Sequence, residues 1–192
     1  MSANELAVLH ETDDGPSYEL VDGELFERHT SAEAVYVRER ITDRLLEYLS
    51  GKDLGCVFSS RAVFKCFPNE KLTMRKPWIS FIRMERFKND LVPRGHFLKD
   101  DDFLPDAPIV MRPDLVIEVI CSRDLVVDLD RKVHDFRKVG VEELWVVIPN
   151  VKIIEVFYPD GSGRRLGLGE TVSCNVIPGF KLNMTDFFRR IK

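Results

Sequence analysis

The sequence predicts an α/β (α+β) domain with a mixed central sheet flanked by helices. Three observations predict it: two amphipathic helical patterns that each end at a glycine, apolar runs of strand length such as "LVIEV" and "LWVVI", and the alternation of the two along the chain. A strand that leads into a helix and then into another strand is typical of a sheet with helices packed on it. The predicted core order is helix-strand-strand-strand-helix-strand-strand.

Composition fits a single globular unit. The chain has 192 residues, of which 44% are hydrophobic and 31% charged, so it can bury a core without disulfides. We expect a flexible N-terminus over residues 1–17 and one domain over 18–192. The four cysteines have no paired spacing and are expected to be reduced thiols.

Charge and hydropathy limit the predicted location of the protein and the ligands that it can bind. The acidic N-terminal stretch lacks the apolar core of a signal peptide, and no apolar run reaches the length of a membrane span. These features predict a cytoplasmic protein without membrane contact. The formal net charge of -4 argues against a nonspecific nucleic-acid coat, but it allows a local basic groove.

The first half of the chain begins with a hairpin pattern. "YELVDGELFER" alternates around the pair Asp22-Gly23, a strong signal for a tight turn. A helix is predicted next, with a capping box in "TSAE" from Thr30 to Glu33 and a stop at Gly51. Its apolar residues recur at steps of three and four; they are Ala34, Val37, Ile41, Leu45 and Leu49.

Two strands and a long connection follow. Strands are predicted over Cys56–Phe67 and from Pro77 through "PWISFIR", with a turn at Pro68 and Asn69 between them. The stretch from Met84 to Met111 has little periodicity and reads as a functional or mobile loop.

The second half returns to strong patterns. A strand is predicted over Leu115–Ile120 and a helix over Leu125–Val139, with Leu129, Val133 and Phe136 inward and Gly140 as its stop. "ELWVVIP" and "IIEVFYP" are two further strands. A turn at "DGSG", a short strand over 171–176 and a terminal helical turn in "MTDFFRRI" complete the chain.

The strand "RPDLVIEVICS" raises a chemical question because it carries a carboxylate near its middle. In an extended chain Asp114, Val116, Glu118 and Ile120 share one face. A buried carboxylate costs several kcal/mol or more unless it meets a cation, a metal or strong donors. Glu118 therefore requires a partner.

Several segments together carry a family resemblance. They are "YELVDGEL", "RKPWISFI", "RPDLVIEV", "DRKVHDFRKVGVEELWVVIP", "FYPDGS" and "VIPGF", in this order from Tyr18 to Phe188. The chain resembles the bacterial Uma family of restriction endonucleases within the PD-(D/E)XK nuclease superfamily. The resemblance implies a restriction-endonuclease-like core and cleavage of DNA by water activated at a divalent metal.

The resemblance also implies roles for particular residues. Glu118 matches the strand carboxylate that binds the metal, and Lys132 matches the lysine that the family takes from the following helix. Glu33 lies where the family often has an acid. Asp114 is a further candidate metal ligand if a bulge brings it near Glu118. The implied cofactor is Mg²⁺ or Mn²⁺.

One position departs from the family pattern. The first catalytic aspartate should follow the proline of the earlier strand, and this chain has Trp78 there. An indole cannot coordinate a hard cation such as Mg²⁺. Two functions are therefore open: a metal-dependent DNA endonuclease with an impaired site, or an inactive nuclease fold that binds DNA or a partner protein. Arg83 and Arg86 are candidate contacts to the DNA backbone. The sequence also leaves open whether the protein forms a homodimer.

Each of these residues also has a structural interpretation. Glu118 would form a buried ion pair with Lys132 or an arginine, and Lys132 would alternatively pair with Asp128 one helical turn away. Asp114 would end a loop, and Glu33 would serve the capping box. Trp78 is either a core aromatic or a stacking platform for a base.

Overall fold

The structure is a computed structural model that describes residues 17–67, 73–91 and 108–189. Within these ranges the strands are β1 (Ser17–Val21), β2 (Glu24–Arg28), β3 (Gly55–Ser59), β4 (Ile79–Arg83), β5 (Leu115–Val119), β6 (Glu143–Ile148), β7 (Ile153–Phe157), β8 (Gly163–Leu166), β9 (Thr171–Ser173) and β10 (Lys181–Asn183). The helices are α1 (Ala32–Leu49), α2 (Met84–Arg86), α3 (Val126–Lys138) and α4 (Met184–Phe188).

A six-stranded mixed sheet forms the centre, in the order β3-β4-β5-β6-β7-β8. Only the β5–β6 pair is parallel among these neighbours, and α3 is the crossover between the two strands. The main core lies on the face of β5 that carries Leu115, Ile117 and Val119, together with the apolar face of α1. Val116 points to the opposite face, where it packs with Val133 and Phe136 of α3. The predicted order and the mixed sheet are confirmed.

The predicted hairpin is formed by β1 and β2, with Val21 opposite Glu24. Asp22 and Gly23 have positive φ angles of 52° and 87°, which a two-residue turn matched to the strand twist requires. Backbone hydrogen bonds between Leu20 and Met74 dock this hairpin on the rest of the domain.

Helix α1 buries the five predicted apolar residues. The predicted capping box is wrong by one residue, because Ser31 is the N-cap and its hydroxyl accepts from the Ala34 backbone N–H at 3.2 Å. Glu33 is therefore the second helical residue and not the third, so it cannot close a capping box on Thr30. Gly51 ends the helix with a φ angle of 72°.

Two predicted strands are longer than the observed ones. The strand expected over Cys56–Phe67 ends at Ser59, opposite Ile79, where the chain turns and the Ala62 backbone N–H donates to the Ser59 carbonyl at 3.1 Å. Phe64 instead forms isolated bridges to Arg75 and Ile109. The last short strand ends at Ser173 and not at residue 176.

The sequence does not predict the edge strand β8, which begins at Gly163, the last residue of the "DGSG" turn. Its residues Gly163 to Arg165 are exposed, so they carry no apolar alternation that would signal a strand. The long connection after β4 begins with α2 and a π-helical turn over Phe87–Leu91. The predicted flexible segment up to residue 16, the turn at Pro68 and Asn69 and residues 92–107 lie outside the described residues.

Two further features bear on the sequence predictions. The four cysteines are free thiols, as expected. In the described part of the chain, no helix is both long enough and apolar enough to cross a membrane.

Candidate functional site

A cavity of about 140 Å³ lies between the β1–β2 hairpin, the last residues of β5 and the first half of α3. Its wall includes Glu19, Trp78, Glu118 and Lys132, and its rim includes several arginines. The cavity forms because Glu118 and Ile120 point from the same face of β5 toward α3, as strand alternation predicts.

Glu118 is 3% exposed. Burial raises the pKa of its carboxyl group, and the nearby Lys132 ammonium offsets only part of that effect. Glu118 Oε1 accepts no hydrogen bond from the described residues, although it lies 3.0 Å from Lys132 Nζ as an ion pair. Burial therefore disfavours the ionised form of Glu118 more than its charged neighbours favour it.

Lys132 holds two carboxylates at once. It is 9% exposed, and its Nζ lies 2.8 Å from Glu19 Oε1 and 3.0 Å from Glu118 Oε1. The structure thus brings Glu118 and Lys132 together, as the family pattern implies, in the form of the buried ion pair that was the structural alternative. The interpretation of Lys132 as an exposed partner of Asp128 does not fit this burial.

Glu19 is the site residue that sequence reasoning missed. Its Oε1 accepts a hydrogen bond from the Lys76 backbone N–H at 2.7 Å, and its Oε2 accepts one from Arg75 Nη1 at 3.2 Å. Burial opposes ionisation of Glu19, but the charges of Lys132, Arg28 and Arg75 together lower its pKa to about 2. No local pattern singles out Glu19, because a charged residue in a hairpin strand usually faces solvent.

A second buried pair supports this network from α3. Arg75 Nε donates to Asp135 Oδ2 at 2.9 Å, and Arg75 Nη2 contacts the same oxygen. Asp135 is 6% exposed and lies three residues after Lys132, on the same side of the helix. Polar residues at positions 132 and 135, beside inward Val133 and Phe136, were the available sign that α3 buries charge.

Trp78 lies between two arginines. The guanidinium carbons of Arg28 and Arg38 are 3.5 and 3.7 Å from its ring centroid. Two guanidinium groups at such distances must cover opposite faces of the indole, since they would overlap on one face. The indole is also packed against the main core. Neither face is open to a stacked base, so the core-aromatic interpretation fits and the stacking platform does not.

The other candidates lie elsewhere. Asp114 directly precedes β5, and about 13 Å of extended chain separates it from Glu118. Its carboxylate contacts Arg83, Arg86 and Arg112, with the Arg83 backbone N–H donating to Oδ2 at 2.8 Å. No bulge brings it to the cavity, so it does not join Glu118 at a metal.

Arg83 and Arg86 are engaged by acids at that same end of the sheet. Arg83 donates two hydrogen bonds of 2.6 Å to Glu142, and Arg86 contacts Asp114. Their guanidinium N–H donors are thus already paired within the protein, and few remain to contact a DNA phosphate. Glu33 is half-buried in the first turn of α1 and is not among the residues that line the cavity.

The residues of the cavity do not fit a divalent metal. Mg²⁺ requires several oxygen ligands in near-octahedral geometry. No group of three or more histidine, cysteine or acidic side chains in the described ranges is arranged to hold an ion. Trp78 supplies no oxygen, and Lys132 occupies the space between Glu19 and Glu118.

The architecture has a counterpart among solved structures. A crystal structure from Anabaena variabilis ATCC 29413, described as "a putative nuclease belonging to DUF820", superposes with a TM-score of 0.77 over 98% of both chains. At 14% identity this likeness concerns the fold. Residues 4–185 match the model of the Uma2 family, described as "Putative restriction endonuclease". The chain belongs to the Uma2 family. Among curated proteins, none matches it.

Proposed function

We propose that this protein is a nuclease-fold protein that binds nucleic acid without metal-dependent cleavage of the phosphodiester bond. The observation that carries the proposal is the position of Lys132, whose ammonium lies within 3.0 Å of both Glu19 and Glu118. The family description and the nuclease fold support a nucleic-acid ligand, and the site chemistry argues against hydrolysis.

We expect no hydrolysis because too few oxygen donors of the cavity are free to bind a metal ion. Metal-assisted hydrolysis needs an ion that activates water and neutralises the developing negative charge. The two buried carboxylates that line the cavity, Glu19 and Glu118, are already paired with Lys132, Arg28 and Arg75. Trp78 stands where the family pattern supplies the first catalytic aspartate, so that oxygen donor is missing.

Binding to nucleic acid would use the rim of the cavity. Arg123 and Arg131 are exposed there, and His29 lies beside them. Arginines contact phosphate through a charge-assisted fork, and such contacts need no metal. A local rim of this kind is compatible with the net charge of -4.

A metal-dependent DNA endonuclease is the second candidate, and one observation favours it. Glu118 Oε1 accepts no hydrogen bond from the described residues and lies 3.0 Å from the lysine that the family pattern places at the site. A carboxylate with spare capacity beside a lysine is a feature that a nuclease with Mg²⁺ or Mn²⁺ would use.

Plasmid cleavage separates the two candidates. We expect no nicking of supercoiled plasmid by the pure protein in Mg²⁺ or Mn²⁺ at any concentration. Cleavage that disappears in Glu118→Ala would establish the endonuclease instead.

Fluorescence anisotropy with labelled DNA in EDTA tests the binding. We expect a salt-dependent affinity that falls in the double variant Arg123→Ala and Arg131→Ala, with a salt slope shallower by about two. Arg44→Ala is the matched control, because Arg44 is an exposed arginine of α1 that pairs with Glu47 away from the cavity. No binding to DNA or RNA would leave a protein partner as the ligand.

A further inference from the structure

We infer that Lys132 is the resident cation of this pocket: its ammonium takes the place of a divalent ion between Glu19 and Glu118, and removing it creates a divalent-cation site. The inference rests on the proposed function, since it explains why the fold lacks metal-dependent chemistry. It also assigns Glu19 as the second carboxylate of the site.

The first argument is geometric. Lys132 Nζ lies 2.8 Å from Glu19 Oε1 and 3.0 Å from Glu118 Oε1, so one ammonium contacts one oxygen of each carboxylate. Mg²⁺ and ions of similar size bind oxygen at about 2.1 Å. The two carboxylates would have to close in by less than an ångström each to share such an ion.

The second argument concerns charge. The buried carboxylates of this ion-pair network are Glu19 and Glu118, which line the cavity, and Asp135, which pairs with Arg75. The cations that contact them are Lys132, Arg28 and Arg75. Lys76 adds a further cation that is 1% exposed and bonded to Ser17 Oγ. The four buried cations therefore already outnumber the three buried acids, and a divalent ion would have to displace a cation rather than add to it.

Trp78 does not by itself explain the loss of the metal. In Trp78→Asp the new carboxylate would lie between Arg28 and Arg38, which now cover both faces of the indole. It would pair with them, and Lys132 would still fill the space between Glu19 and Glu118. We expect this variant to gain no divalent-metal site until Lys132 is also removed.

Mn²⁺ binding measured by electron paramagnetic resonance and calorimetry tests the inference. We expect wild-type protein to bind no Mn²⁺ at the site. Lys132→Ala should bind one Mn²⁺ with an affinity at least about tenfold above any wild-type binding. Adding Glu118→Gln to Lys132→Ala should abolish that site. Lys88→Ala is the matched control, because it removes a lysine from the single exposed carboxylate of Asp53 and should gain nothing.

Thermal unfolding gives a second readout. We expect Mn²⁺ to raise the Tm of Lys132→Ala and to leave the wild-type Tm unchanged, with EDTA reversing the effect. If Lys132→Ala is unfolded without metal, recovery of its fold on addition of Mn²⁺ supports the inference, and a failure to recover overturns it.

Two other results would overturn the inference. One is wild-type Mn²⁺ binding that disappears in Glu118→Gln, and the other is a folded Lys132→Ala that binds no more Mn²⁺ than wild type. Neither readout involves DNA. A negative result here would leave the anisotropy measurement of nucleic-acid binding as it stands, so the two proposals fail separately.

Discussion

Strand β5 carries a buried carboxylate at each end, Asp114 just before its first residue and Glu118 just before its last. Asp114 is 0% exposed and accepts the Arg83 backbone N–H together with contacts from three arginines. Glu118 is 3% exposed, faces a cavity, and has one ammonium that it shares with Glu19.

Burial of an acid in a strand therefore does not by itself mark a functional site. The Asp114 carboxylate is satisfied by the protein, and the Asp114 backbone oxygen accepts from Glu142 and Glu143, so this residue ties β4, β5 and β6 together. Glu118 lies beside open space, and the ammonium that pairs with it is shared with Glu19. Incomplete satisfaction next to a cavity is the property that points to a ligand.

The largest loss of stability is expected at Asp114, the carboxylate whose partners all lie within the protein. Asp114→Ala should lower the free energy of unfolding by about 3 kcal/mol, because three arginines lose the carboxylate that they share. Urea unfolding followed by circular dichroism measures it. Glu142→Ala is the control, since Glu142 is 40% exposed and its loss should cost under about 1 kcal/mol. Equal losses in the two variants would remove the distinction.

The ionisation of Glu19 in the cavity should change the free energy of unfolding with pH by a similar amount. The pKa of Glu19 is lowered from 4.5 to about 2, so between these values the unfolded chain binds a proton that the native protein does not. The stabilisation is present above pH 4.5 and is lost as the pH falls toward 2. It amounts to a contribution on the order of 3 kcal/mol.

Urea unfolding across this pH range should show the loss in wild type and a flatter profile in Glu19→Gln. Glu47→Gln, at an exposed ion pair, should follow wild type. A Glu19→Gln profile that is parallel to wild type would contradict the assignment of the shift to Glu19.

The smallest expected change in the free energy of unfolding is a gain rather than a loss, and it concerns Glu118. The raised pKa of Glu118 means that its ionised form destabilises the native state at neutral pH. Glu118→Gln should therefore stabilise the protein slightly, by under about 1 kcal/mol, while Lys132 keeps Glu19 as its partner. The gain should shrink as the pH falls through the raised pKa, because the native carboxyl group is then protonated. A loss comparable to that of Asp114→Ala would show that the two ends of β5 are equivalent.

Much of the fold was predictable because its signals are local. The five buried residues of α1 follow from spacing, and the Asp22-Gly23 turn follows from the two residues that best tolerate positive φ. The edge strand β8 was missed because its exposed residues carry no alternation. Its pairing with β7 depends on backbone hydrogen bonds that any sequence can make.

The candidate site was predictable in part. The sequence alone determined that Glu118 is buried in a central strand and needs a cation, since an extended chain fixes which residues share a face. The identity of that cation depends on the packing of distant segments. The tertiary structure brings Glu19 to Lys132 across more than a hundred residues, commits Asp114 to three arginines and covers both faces of Trp78. Contacts of this kind depend on how distant segments pack, and no local pattern encodes them.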